Sequence, residues 1–125
     1  MSIPLISVAL GGALGASCRY LLSVGFLRLT GPTAFPLPIL AANIAGSLLM
    51  GLFVGLAAQR GWTAASPFVM TGFLGGFTTF SAFSLETVTL IERGQAGLAA
   101  LYVAASVALS IGALFVGLVI ARSVA

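Results

Sequence analysis

Residues 71–84 read Thr71-Gly72-Phe73-Leu74-Gly75-Gly76-Phe77-Thr78-Thr79-Phe80-Ser81-Ala82-Phe83-Ser84. The stretch is apolar enough for a buried helix, yet its middle is a poor helix interior. Two glycines are followed by a β-branched pair, and both residue types disfavour the α-helix. A break is expected here, splitting one span into two half-helices. Such a break frees backbone carbonyls that suit a small cation. It also presents N–H groups and a positive dipole end, which suit an anion. The competing reading is a kinked, continuous helix whose glycines allow close packing. Phe80 and Phe83 are three apart and share a face. Their ring edges carry partial positive charge, although phenylalanines at this spacing also serve as plain apolar surface.

The rest of the chain sets the context. It has 125 residues, 60% of them hydrophobic and 6% charged, with a mean hydropathy of +1.22. A soluble domain carries about 25% charged residues, so a soluble enzyme is excluded. The formal charge of +3 comes from scattered arginines. These form no basic patch, and a nucleic-acid partner is excluded as well. With no His, no Asp, one Cys (Cys18) and two Glu (Glu86, Glu92), the chain cannot assemble a zinc site, a catalytic triad or a carboxylate pair. An all-α integral membrane protein remains. The lack of a basic n-region and an apolar run beyond Ser17 argue against a cleaved signal.

Four transmembrane helices are predicted, over about residues 3–27, 37–58, 67–91 and 98–121, in a single domain. Turns are read at Arg28–Thr33, Gln59–Trp62 and Glu92–Gln95, with Trp62 at an interface. Ser66-Pro67 has the form of an N-cap followed by Pro at the first helical position. Four spans place Arg60 and Arg122 on one side and Arg28 and Arg93 on the other. Loop arginines set orientation, and here they balance. Either the chain inserts both ways, so that inverted copies pair as an antiparallel homodimer, or one weak bias such as the start-methionine amine decides.

Polar groups inside hydrocarbon face a cavity or another helix. Asn43 and Ser47 share a face of the second span. The Asn43 amide suits either an anion or an interhelical hydrogen bond. Tyr102, Ser106 and Ser110 form a hydroxyl stripe at i, i+4 and i+8, which reads as a water-lined track or as helix glue. Gly11/Gly15 and Gly51/Gly55 are small-xxx-small pairs for close helix contact.

Three blocks resemble the Fluc (CrcB) fluoride channels, in order and spacing, over essentially the whole chain. They are Gly12-Ala13-Leu14-Gly15-Ala16-Ser17-Cys18-Arg19-Tyr20, then Asn43-Ile44-Ala45-Gly46-Ser47, then Gly72 through Glu86. The resemblance implies dual-topology antiparallel homodimers with two fluoride pores in the inner (plasma) membrane of a prokaryote, which export fluoride passively and protect the cell from its toxicity. It implies Phe80 and Phe83 as phenylalanines whose ring edges meet fluoride, and Asn43 as the pore amide. Ser81, Tyr102, Ser106 and Ser110 would be pore hydroxyls, and Arg19 a vestibule arginine. It also implies a structural sodium ion at the dimer centre, held by the carbonyls of Gly75 and Thr78. Ala82 departs from the family, which often has Thr there. If that hydroxyl takes part in conduction, Ser81 is left to do its work.

Two rivals come from other classes. A small multidrug-type transporter needs an acid in its first span, where this chain has Arg19. A non-transporting assembly subunit would pack through its glycine faces, and it leaves the hydroxyl stripe unexplained.

Overall fold

The computed structural model describes residues 3–124. The start-methionine amine, named above as an orientation bias, lies outside them. Every regular element among the described residues is helical. Four stretches are long and apolar enough to cross a membrane: Ile3–Thr30, Leu37–Arg60, Trp62–Glu92 and Ala96–Ser123. The first, second and fourth are single helices, α1 (Ile3–Thr30), α2 (Leu37–Arg60) and α5 (Ala96–Ser123). Most run a turn beyond the apolar core read from sequence, because snorkelling Arg28, Arg60 and Arg122 sit in their last turns, where a cation meets the negative dipole end. Gly31, Gly61 and Gly94 then reverse the chain at positive φ, a conformation open to glycine at little cost.

The third stretch is composite. A 3-10 turn (Trp62–Ala65) leads into a π-helical segment (Pro67–Leu74) and a short α3 (Gly75–Phe77). Thr78 and Thr79 are extended, and α4 (Phe80–Glu92) follows. Gly75 and Gly76 themselves stay helical. Ser66 is helical in backbone and makes no side-chain cap bond, so the capping role read from Ser66-Pro67 does not hold. The 3-10 turn already continues into the next segment, which removes the free N-terminus that a cap would serve.

Two glycine seams organise the packing. In α2 and α5, a Cβ on Gly51 would fall on the Leu114 carbonyl, and one on Gly117 on the Leu48 carbonyl. Farther along, a Cβ on Gly55 would lie 2.5 Å from that of Ala121. The two helices therefore run parallel with touching backbones, and Arg60 and Arg122 share one end. In the second seam, Gly11 and Gly15 of α1 press on the backbone of Phe68, Phe73 and Phe77. Gly76 presses on Gly12 in return. In lipid no hydrophobic drive separates helix from solvent, so such close backbone approach carries much of the association. The first half of the third span thus belongs to α1, while α4 packs on α5. At the shared arginine end, the Arg60 guanidinium lies 5.6 Å from the Trp62 ring centroid, a cation–π contact suited to the headgroup region.

The compact core is small. Leu40, Leu90, Ala99 and Tyr102 are buried together, with Phe35, Ile39, Ile44 and Phe83 packed on them. Outward faces remain apolar, with Leu14, Leu21, Phe115 and Val119 exposed.

The seams give a direct expectation. Gly15→Ala and Gly117→Ala will each lower stability by about 1–3 kcal/mol through overpacking. Gly97→Ala, where a Cβ meets nothing within 4 Å, will be neutral or stabilising. Thermal unfolding in detergent measures all three, and equal midpoints would contradict the seam.

Candidate functional site

A cleft of about 340 Å³ is bounded by α2, residues 78–79, the start of α4 and the middle of α5. Its lining brings together Asn43, Phe80, Phe83, Ser106 and Ser110, with Ser47 beside them. These residues come from three separate spans.

Asn43 is the pivot. Its Oδ1 accepts from the Thr79 N–H at 2.9 Å, and its Nδ2 donates to the Thr79 carbonyl at 3.2 Å. The side-chain amide therefore pairs with the extended backbone as a neighbouring peptide would. That arrangement is the interhelical hydrogen bond weighed from the sequence. It leaves the second Nδ2–H, since an amide nitrogen carries two. Thr79 completes the joint as the N-cap of α4, where its Oγ1 accepts from the Ala82 N–H at 3.1 Å. Thr78 turns its hydroxyl back to the Leu74 carbonyl at 2.8 Å. Its methyl meets Gly46 so closely that a Cβ at Gly46 would overlap it.

The hydroxyl stripe splits by environment. Ser106 and Ser110 line the cleft, whereas Tyr102 does not. The Tyr102 ring is 0% exposed and sits behind Phe83, with centroids 5.3 Å apart. The oxygens of Tyr102, Ser106 and Ser110 are all buried without a hydrogen-bond partner among the described residues. A buried hydroxyl left unpaired costs about 1–3 kcal/mol. The three lie along one face of α5.

Phe80 and Phe83 lie 5.5 Å apart, tilted by 41°. Phe83 is half-buried against Tyr102, while Phe80 is 79% exposed and stands at the open mouth of the cleft. Ser81 is exposed and not part of the lining. Its hydroxyl is 3.2 Å from that of Thr79. Arg19 is also away from the cleft, and its Nε donates to the Gly76 carbonyl at 3.2 Å. A cation there meets the negative end of the helical first half.

Gly75 and Thr78 bear on the implied cation. Helical geometry would pair the Gly75 carbonyl with the Thr79 N–H, but that donor is given to Asn43. Neutral main-chain oxygens suit a hard cation such as sodium. Among the described residues no group of three or more His, Cys, Asp or Glu offers another metal centre. The freed Gly75 carbonyl is an oxygen donor of the kind sodium takes.

Sequence reasoning missed Thr79 and Gly46, and it read Thr78 only as a carbonyl donor, not as the hydroxyl bonded to Leu74 or the methyl seated on Gly46. Thr79 had a usable signal: a threonine three residues before Ala82, at the start of a helical run, has the form of an N-cap.

Comparison with known proteins adds an independent line. Residues 6–118 match the family model described as CrcB-like protein, Camphor Resistance (CrcB). The chain is 64% identical to a protein of Ruegeria sp. (strain TM1040) named fluoride-specific ion channel FluC, over 99% of this chain and 98% of that relative. Proteins of the same name from Roseobacter denitrificans and Paracoccus denitrificans are 65% and 52% identical. They cover 96% and 94% of this chain, and 96% and 93% of their own lengths.

The joint predicts its own sensitivity. Asn43→Leu leaves both Thr79 backbone groups without a partner and will destabilise the protein by about 2–4 kcal/mol. Thr79→Val will cost about 1 kcal/mol by loss of the cap, and Thr79→Ser will restore it. Thermal midpoints in detergent decide, and an unchanged Asn43→Leu midpoint would refute the pairing.

Proposed function

The chain belongs to the CrcB family, and from that membership we propose that it is a fluoride-selective channel exporting cytoplasmic fluoride passively down its electrochemical gradient. The observation that carries the proposal is the row of buried, unpartnered hydroxyls running beside Asn43 and the two phenylalanines. Fluoride is strongly hydrated, so a conduit must replace its water with donors and still release it. Ser106 and Ser110 offer O–H groups, and Asn43 offers its remaining N–H. Phe80 and Phe83 offer ring edges with partial positive charge. None of these groups carries a formal charge, so the anion is not trapped. A narrow bore and short donors favour fluoride over the larger chloride. The inside-negative potential drives anions outward, and the ion passes unchanged.

Other features support the finer parts of the proposal. The third span works as two half-helices meeting at residues 78–79, with Asn43 supporting the gap. Phe80 lies open on one protomer, which suits a second copy completing the pore wall. Balanced loop arginines suit insertion in both orientations, giving an antiparallel homodimer in the inner membrane of a prokaryote. Gly75 and Thr78 would hold a structural sodium ion, which main-chain oxygens at the joint would coordinate. Arg19 acts at the same joint through Gly76. Ser81 and Tyr102 serve the pathway from its margins.

A multidrug-type exchanger finds no support, because the first span contains no acid. A passive assembly subunit would have no use for three unpaired hydroxyls beside a cleft.

Purified protein in liposomes will release fluoride on addition of a potassium ionophore and retain chloride, as read with ion-selective electrodes. Absence of fluoride release would overturn the channel reading. Phe80→Ile or Phe83→Ile will slow release by about tenfold, equivalent to about 1.4 kcal/mol of lost barrier stabilisation, while the purified protein elutes unchanged. Wild-type rates in both variants would remove the ring-edge role.

A further inference from the structure

The aromatic contacts do not stop at the two phenylalanines of the third span. Phe80 meets Phe83 at 5.5 Å, Phe83 meets Tyr102 at 5.3 Å, and Tyr102 meets Phe35 at 5.6 Å with rings crossed at 88°. Phe35 lies on the loop between α1 and α2, outside all four spans. It is half-buried and packs on the cluster of Leu40, Leu90, Ala99 and Tyr102.

Its backbone is held in place. The Phe35 carbonyl accepts from the Leu37 N–H and from the Thr33 hydroxyl, each at 2.8 Å. Pro36 follows directly, and its ring restricts the residue before it. Phe35 also lines a second cavity of about 300 Å³, together with Ser23, Thr30 and Glu86. Phe83 lines the first. The fully buried Tyr102 ring stands between these two phenylalanines and touches both.

Tyr102 is an unusual residue to hold still. Among the described residues its hydroxyl has no partner on another span; Ser106, one turn along the same helix, is the group beside it. Packing holds the ring, with Leu40, Leu90 and Ala99 in the core, the tilted ring of Phe83 on one side and Phe35 crossed on the other. The crossed geometry is the favourable edge-to-face arrangement for aromatic quadrupoles. Removing the Phe35 ring would open space beside Tyr102 on the side of the second cavity, which Phe35 lines, and loosen the ring that backs Phe83.

We propose that Phe35 is a positioning residue for conduction. From a loop outside the spans, it clamps Tyr102 against Phe83 and so sets the wall of the fluoride path. This rests on the channel reading above and names a residue through which that path is tuned.

The test uses full-length protein in liposomes. Phe35→Leu keeps an apolar side chain of similar reach and loses the ring; Phe35→Tyr keeps the ring. The expected result is fluoride release slowed about fivefold in Phe35→Leu and within about twofold of wild type in Phe35→Tyr. A wild-type rate in Phe35→Leu, or equal losses in both variants, overturns the proposal. A second readout is independent of flux. In a Tyr20→Phe, Trp62→Phe background Tyr102 is the sole tyrosine and no tryptophan overlaps its band, so the near-ultraviolet circular dichroism in that band reports immobilisation of its ring. Phe35→Leu will weaken that signal in detergent-solubilised protein whose far-ultraviolet spectrum is unchanged. Retention of the full signal overturns the clamp. If wild-type protein passes no fluoride, the channel reading fails, and the dichroism arm still decides whether Phe35 restrains Tyr102.

Discussion

Inside a bilayer, no water is available to satisfy backbone polar groups, so extended chain survives there only with a protein partner. The pairing of Asn43 with Thr79 meets that requirement. One side-chain amide accepts from the Thr79 N–H and donates to its carbonyl, and the threonine hydroxyl then caps the helix that follows. With those groups satisfied, the third span can abandon helical geometry for two residues. Phe80 and Phe83 then face the cleft from a new helix start, away from the register that α3 would have imposed.

The glycine seams determine where that joint lies. Gly11 and Gly15 bind the first half of the third span to α1, and Gly51, Gly55 and Gly117 close α2 onto α5. Contact between the two pairs is thin by comparison. The cleft is walled by uncharged groups. Arg19 and Thr78 hold the carbonyl end of the first half through Gly76 and Leu74. The joint is thus restrained from both sides.

A pore of this kind balances two demands. Donors must be strong enough to replace water around fluoride and weak enough to let it leave. In the proposed path, hydroxyl, amide and phenyl edge are all of moderate strength, and each is held by the protein itself. Asn43 is held by Thr79, the serines by α5, and the rings by one another. Preorganisation of this sort means that little reordering accompanies each ion.

Much of this was legible in the sequence, because it depends on local repetition. Hydropathy over about 20 residues marks a span, a four-residue spacing of glycines marks a seam, and the i, i+4, i+8 spacing of Tyr102, Ser106 and Ser110 marks one helix face whatever lies opposite. The unusual composition of residues 71–84 was equally plain. What the spacing could not reveal was which groups meet. Asn43 and Thr79 are 36 positions apart, and Arg19 and Gly76 are 57 apart. Nothing in the loop around Phe35 announces Tyr102. Ser66-Pro67 carries the local form of a cap, but the preceding turn makes that cap unnecessary. Periodicity is a property of a segment and its backbone geometry, so one chain read in order determines it. Partnership depends on how separate helices approach and rotate, and only close packing of the folded chain decided that Asn43 would be shared between a backbone joint and the cleft.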